Sequence, residues 1–339
     1  MRRLIAIVVA LAMVGAALLI RSAIDDNGGG GGGSNASDLK LLCASELADA
    51  CDKLAQDTGI SVDDSHSSGE VIANPALLKG FDGWLTFERS AEIVRQSRPG
   101  QPKILEASSS PIARTPLIVA MFQERAKVLA AACGGDVTWK CIGNQAGRSW
   151  TSIGGQPQWG NVKVAHTDPS TTGEGLAVIS QATTQFFGKS DLDKLDFERD
   201  AFIAWFSRLE ASASSALPDP SPFDNLIKSN SAIYDIVATT EAAADPILRA
   251  RTDLREKVTV LYPSPVATLD AVYAPVVGGN GDLADIVTGD DGQSALSRAG
   301  FRTGDDNRTP SLPSRSNLLD ERNNRVLEAL LETWREVTG

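Results

Sequence analysis

Histidine is almost absent from this 339-residue sequence: His66 and His166 stand 100 positions apart, and neither has H-E-x-x-H or any other metal-ligating spacing. The four cysteines form no C-x-x-C pair, which weighs against zinc. There is no G-x-S-x-G elbow. His166, Asp168 and Ser170 supply triad residue types but sit within one turn of chain. Gly188-Lys-Ser190 lacks the glycine that a phosphate loop carries five positions earlier. Positive charge is short too: 32 basic against 43 acidic residues give a net charge of −11, with no Lys/Arg cluster to hold a nucleic-acid backbone. These absences argue against an enzyme, a metal site, a resident cofactor and a nucleic-acid partner.

What is present is a chain of ordinary globular composition, 42% hydrophobic and 22% charged, long enough for two lobes. Two arginines precede seventeen apolar or small residues, 4–20, which read as a signal peptide or as an uncleaved single-pass anchor. The end of that run offers no clear small-x-small cleavage site, which favours the anchor. The arginines then place the N-terminus in the cytoplasm and the rest outside the cell membrane. Six consecutive glycines, 28–33, follow as a flexible tether with a reach of about 20 Å. Cys43 and Cys51 are eight apart, as are Cys133 and Cys141. In an oxidising compartment two local disulfides are the natural reading, with free buried thiols as the alternative.

The chain is organised around residues 162–176, VKVAHTDPSTTGEGL. Residues 162–165 read as a short strand, Asp168-Pro169 as a turn, and Ser170, Thr171 and Thr172 as the cap of a helix. Leu176, Ile179, Thr183 and Phe186 give that helix one apolar face. Its N-terminus presents backbone N–H groups and a dipole that favour a small polar or anionic group. Residues 39–43 form an apolar run turning at Ser45 into a helix, which places Ser45 at the carboxyl end of a strand, where open α/β sheets bind ligands. Further along, 116–122 and 269–277 read as strands, 192–209 as one helical stretch, and 230–237 as a strand before Thr240. Trp84 and Phe87 read as core residues. The tail, 317–337, reads as a helix with Leu319, Val326, Leu330, Trp334 and Val337 on one side.

Four segments together resemble one family. VAHTDPSTTGEGLAVISQA (164–182) is similar to the loop that opens the second lobe of type 2 periplasmic-type extracellular solute-binding proteins, and especially of the substrate-binding domains found beside von Willebrand A domains in bacteria. LKLLCASELADACDKL (39–54) resembles the first strand and helix of molybdate-type lobes, and SHSSG (65–69) their second ligand loop. AVYAPVV (271–277) with GQSALSRAGFR (292–302) resembles the returning hinge strand and closing helix. Where molybdate-binding relatives place a ligand-contacting tyrosine, Ala238 stands here and Tyr234 lies four residues earlier, which argues against molybdate itself.

The resemblance implies an α/β, two-lobed type 2 periplasmic-binding fold with two crossover hinge strands, flanked by the N-terminal transmembrane helix and the C-terminal helix. Residues 1–37 would be anchor and tether, 38–116 with 268–303 lobe one, 117–267 lobe two, and 304–339 linker and tail helix. It further implies a ligand held by Ser45, Ser67 and Ser68 from one lobe and Ser170, Thr171, Thr172 and Thr240 from the other. Hydroxyls and helix N-termini suggest a small oxyanion or polar metabolite, captured for transport or sensing. A transporter permease is the implied partner. A von Willebrand A domain protein is the alternative, with the scaffold serving as an envelope interaction module.

Overall fold

In the computed structural model, residues 35–96, 102–212, 221–304, 306, 308–313, 318–319 and 324–339 are described. The apolar run 4–20 and the glycine tether lie outside the described residues. Among the described residues no helix is long and apolar enough to cross a membrane.

Strand β1 (Lys40–Ala44) is buried beyond Lys40, and β3 (Gly83–Phe87) is buried throughout, so both read as apolar runs and not as alternations. Together with β2 (Ser61–His66), β4 (Ala113–Phe122), β5 (Val164–Ala165), β6 (Ile236–Thr240), β7 (Val258–Leu261) and β8 (Thr268–Pro275) they line up as β2-β1-β3-β8-β4-β6-β5, with β7 also paired to β4. β1 runs parallel to β2 and β3, and β5 parallel to β6; the remaining pairs are antiparallel.

One strand serves both lobes. The first residues of β4, 113–116, pair with β8, whereas 117–121 pair with β6 and 119–122 with β7. The chain returns through residues 262–267. There Gln181 donates from Nε2 to the carbonyls of Pro263 (3.2 Å) and Pro265 (3.1 Å), while its Oε1 accepts the Trp139 indole N–H at 3.0 Å. A buried amide with every polar atom occupied thus fixes the path of the second crossing.

Helices pack around this sheet. In lobe one they are α1 (Ala48–Thr58), α2 (Ser68–Ala73) and α3 (Glu88–Gln96). Lobe two carries α4 (Gln123–Ala132), α5 (Trp139–Gln145), α6 (Gly173–Phe187), α7 (Lys194–Phe197), α8 (Asp200–Ala211), α9 (Pro222–Ser229), α10 (Glu241–Ala250) and α11 (Thr252–Arg255). After β8 come α12 (Asp282–Thr288) and α13 (Asp290–Arg298), and the chain ends in α14 (Asn324–Thr338). Disulfides Cys43–Cys51 and Cys133–Cys141 are both formed, the first joining β1 to α1.

Several expectations shift. Helix α6 buries every residue from Glu174 to Thr184 and not one face only. Such a helix lies between layers, here beneath β6 and against α5 and α14. The stretch 192–209 is two helices, because Asp193 closes a capping box over α7 before α8 starts. The strand expected at 230–237 begins only at Ile236: Asn230 ends α9 in the left-handed region (φ 48°) and Ser231 follows at φ 65°. The tail helix spans Asn324–Thr338, with Leu318 and Leu319 in a bend before it; residues 317 and 320–323 of the expected helix lie outside the described residues. Its stripe of Val326, Leu330 and Trp334, with Leu327 and Ala329, is buried by α6, α7 and α8, so it offers no free apolar face to a von Willebrand A partner.

Candidate functional site

Four strands end at one place. β1 leads into Ser45, β3 ends at Phe87, β5 leads to Thr167, and β6 ends in Thr239 and Thr240; all five residues line a cavity of about 630 Å³ between the lobes. Ligands of open α/β sheets sit outside the carboxyl ends of the strands, and this volume falls within the ~300–1,000 Å³ of small-molecule pockets. Phe223 and Asp224 of α9, Ala299 and Phe301 close further walls.

The seven hydroxyl residues expected to hold a ligand divide. Ser45, Thr172 and Thr240 line the cavity. Ser45 is exposed and opens a single 3-10 turn, Ser45–Leu47, without capping a helix. Thr172 caps α6 by accepting the Gly175 N–H (3.0 Å), and Thr240 caps α10 by accepting the Ala243 N–H (3.2 Å). Ser67, Ser68, Ser170 and Thr171 are not among the cavity-lining residues. Ser67 closes a capping box with Glu70. Ser68 is buried and its hydroxyl pairs with that of Thr86 at 3.2 Å. Ser170 donates to Asp168 (2.6 Å), and Thr171 donates to the Asp168 carbonyl (3.4 Å).

Where these loops meet, the lobes touch directly. Gly69 N–H donates to the Thr171 carbonyl at 2.9 Å, and a Cβ at Gly69 would stand 2.5 Å from that oxygen, so only glycine allows this approach. Beside it, the Glu46 carboxylate accepts the Ser68 N–H (3.1 Å) and the Gly173 N–H (2.9 Å). Those are the first helical amides of α2 in one lobe and α6 in the other, so a single carboxylate caps both.

Glu46 and Glu174 are the site residues that sequence reasoning missed. Glu174, in the first turn of α6, is 8% exposed and lines the cavity. Burial pushes its carboxyl up, and the charge of Glu46 adds to the push. The Thr239 hydroxyl, His166 and the Thr240 amide pull the other way, leaving the pKa at about 7. His166, at the end of β5, donates from Nδ1 to the Thr167 carbonyl (2.7 Å) and turns Nε2 to Glu210 (3.2 and 3.3 Å). Burial opposes its charge, but the Glu210 carboxylate and the Thr167 carbonyl outweigh that and raise its pKa. Trp334 of α14 donates to the same carboxylate at 2.8 Å, which ties the tail helix to the strand end behind the ligand loop.

On the far side of the cleft, Glu241 at the start of α10 meets the buried Arg302 guanidinium: Arg302 Nε donates to Oε1 at 2.7 Å, and Oε2 accepts both Arg302 Nη2 and, at 2.6 Å, the Tyr262 hydroxyl. The pair fixes the segment after α13 against α10.

The oxyanion expectation meets an obstacle in this geometry. The first-turn amides of Gly173 and Gly175 in α6, and of Ala242 and Ala243 in α10, already bond Glu46, Thr172, Thr115 and Thr240. Among the lining residues the charged ones are Glu46, Asp49, Glu174 and Asp224, all acidic.

No family model matches the sequence and no curated protein matches it. Solved structures do. A periplasmic thiamin binding protein aligns at a TM-score of 0.60 and 10% identity, covering 89% of this chain and 96% of that one. Iron-bound HitA from Pseudomonas aeruginosa aligns at 0.59 and 12%, covering 88% and 98%. A putative spermidine/putrescine ABC transporter structure from Listeria monocytogenes aligns at 0.60 and 12%, covering 90% and 99%. The fold of this chain is therefore the mixed α/β, two-lobed fold of type 2 periplasmic solute-binding proteins.

Proposed function

We propose that this protein is an extracytoplasmic receptor that captures a small polar solute between its lobes and hands it to a transporter or reports it to a sensor. One observation carries the reading: the carboxyl ends of β1, β3, β5 and β6 converge on a single cavity walled by both lobes. Two extended crossings join those lobes, and closure about such a hinge is the motion that couples capture to a partner. The structures sharing the fold carry names that speak of thiamin, iron and spermidine/putrescine, small solutes all.

Residues 4–20 serve in this reading as a single-pass anchor, and the glycine tether lets the receptor range about 20 Å from the cell membrane. The closer likeness to molybdate-type lobes rests on the quoted sequence motifs alone. A thermal-shift screen of amines, metal ions, oxyanions, amino acids and sugars tests the receptor: a solute at 100 times its dissociation constant adds about 2.7 kcal/mol of stability. Membrane fractionation of the chain with and without residues 4–20 tests the anchor, which fails if both forms partition alike.

A further inference from the structure

We infer that the solute is a small organic cation, an amine or quaternary ammonium with an apolar body, and that Glu174 with Glu46 supplies its counter-charge. This rests on the receptor reading above and adds the chemistry of its ligand.

The first observation is an imbalance of charge. The lining contains four carboxylates and no lysine, arginine or histidine. Asp49 and Asp224 are paired with Lys53 and Lys228 of their own helices, so they count for little at the rim. Glu46 and Glu174 form no ion pair with a lysine or arginine among the described residues. Glu46 is held by two amides, as described. Glu174 is nine-tenths buried at the cavity wall, with hydroxyl and amide partners but no lysine or arginine, and Glu46 repels it. The cation it does feel, His166, is already paired with Glu210, so a carboxylate so placed lacks the full compensation that buried charges ordinarily find, and a bound cation would provide it.

The second observation is independent of the acids. An anion would need N–H donors, and four first-turn amides of α6 and α10 are already taken by protein acceptors. The third is the wall itself: Phe87, Phe223 and Phe301 line the same space, an apolar aromatic contribution that suits the body of an organic cation more than a bare ion. Metal is disfavoured on its own account, since no group of three His, Cys, Asp or Glu side chains that could hold one occurs among the described residues.

The groups facing Glu174 are Glu46 from the turn after β1, His166 from the end of β5, and Thr239 and Thr240 from β6. A cation favours its ionised form, so binding releases a proton near neutral pH, and affinity falls with acidification below pH 7.

The experiment titrates the purified full chain with putrescine, spermidine, choline, Mg²⁺, Fe³⁺, sulfate, molybdate, succinate and sucrose by calorimetry at pH 6 and pH 8. At least one of the three organic cations is expected to bind, more tightly at pH 8. Glu174→Gln is expected to weaken it tenfold or more and to flatten the pH difference, with Glu46→Gln acting in the same direction. Unchanged circular dichroism confirms that both variants fold. Tight binding of an anion, sucrose or a bare metal ion, or cation affinity indifferent to Glu174→Gln, overturns the cation assignment and leaves the receptor standing. If none of the nine binds, the cation assignment falls, and the receptor reading is decided by the wider thermal-shift screen.

Discussion

The Glu46 carboxylate of lobe one accepts the backbone N–H of Gly173 in lobe two at 2.9 Å across 127 residues of sequence, while its other oxygen caps α2 at Ser68. The contact stands where the helix dipole most favours negative charge, and it closes the cleft from within. Glu46→Gln removes the charge and turns an N–H toward one of the two donors. We expect it to loosen closure by about 1.5–3 kcal/mol, the range for hydrogen bonds to charged groups. Amide exchange at Ser68 and Gly173 should quicken and the scattering radius should grow; protection equal to the parent's would refute the latch.

The Glu241–Arg302 pair is expected to behave as a structural clamp. Both side chains are buried, and removing Arg302 leaves Glu241 with only the part-exposed Arg308 (3.2 Å) and the Tyr262 hydroxyl to meet its charge. Arg302→Ala should lower unfolding stability by about 3–5 kcal/mol in urea titration. A loss below 1 kcal/mol would mean that water reaches Glu241 readily.

Stability should fall as pH rises across the neutral range, for two separable reasons. His166 has a raised folded pKa, so its contribution is complete below the unfolded value of about 6.5 and is lost as pH climbs through the folded one. Glu174, at about 7 in the folded protein against 4.5 as the ordinary value, keeps its proton in the fold, and its contribution is lost between those two values, by about 3 kcal/mol. Melting curves from pH 4.5 to 8 should flatten below pH 7 in Glu174→Gln and above pH 6.5 in His166→Asn. Slopes identical to the parent's would remove either residue from the account.

Trp334 anchors the tail helix by its buried ring and its bond to Glu210. Trp334→Ala should cost about 3–5 kcal/mol and expose the stripe of α14. Deleting 317–339 should destabilise the domain further; a truncated chain as stable as the whole would show that the tail belongs elsewhere.

The strand ends were readable because each carries an apolar run followed by a hydroxyl and a helix, the pattern at Ser45, Thr172 and Thr240. Ser67, Ser170 and Thr171 carry the same residue types, yet their hydroxyls satisfy their own loops, a local competition that spacing does not reveal. Glu46 and Glu174 stood inside the quoted motifs and read as ordinary first-turn acids. Their significance comes from burial and from each other, and residues so distant in sequence meet only once β1 and α6 occupy their places. The all-round burial of α6 was hidden likewise, because Gln181, Thr183 and Thr184 look solvent-facing until their bonds to Trp139, Pro263, Pro265, Ile179 and Gln181 are seen.

The bridge between Cys43 and Cys51 encloses the turn that carries Ser45 and Glu46, and both of its cysteines are fully buried. Oxidant cannot reach those sulfurs once the core has closed around them, so the bond has to be made while β1 and α1 are still being put together. A chain matured in a reducing cytoplasm would carry its latch on an unfastened loop, whereas one folded after export would have it clasped from the start.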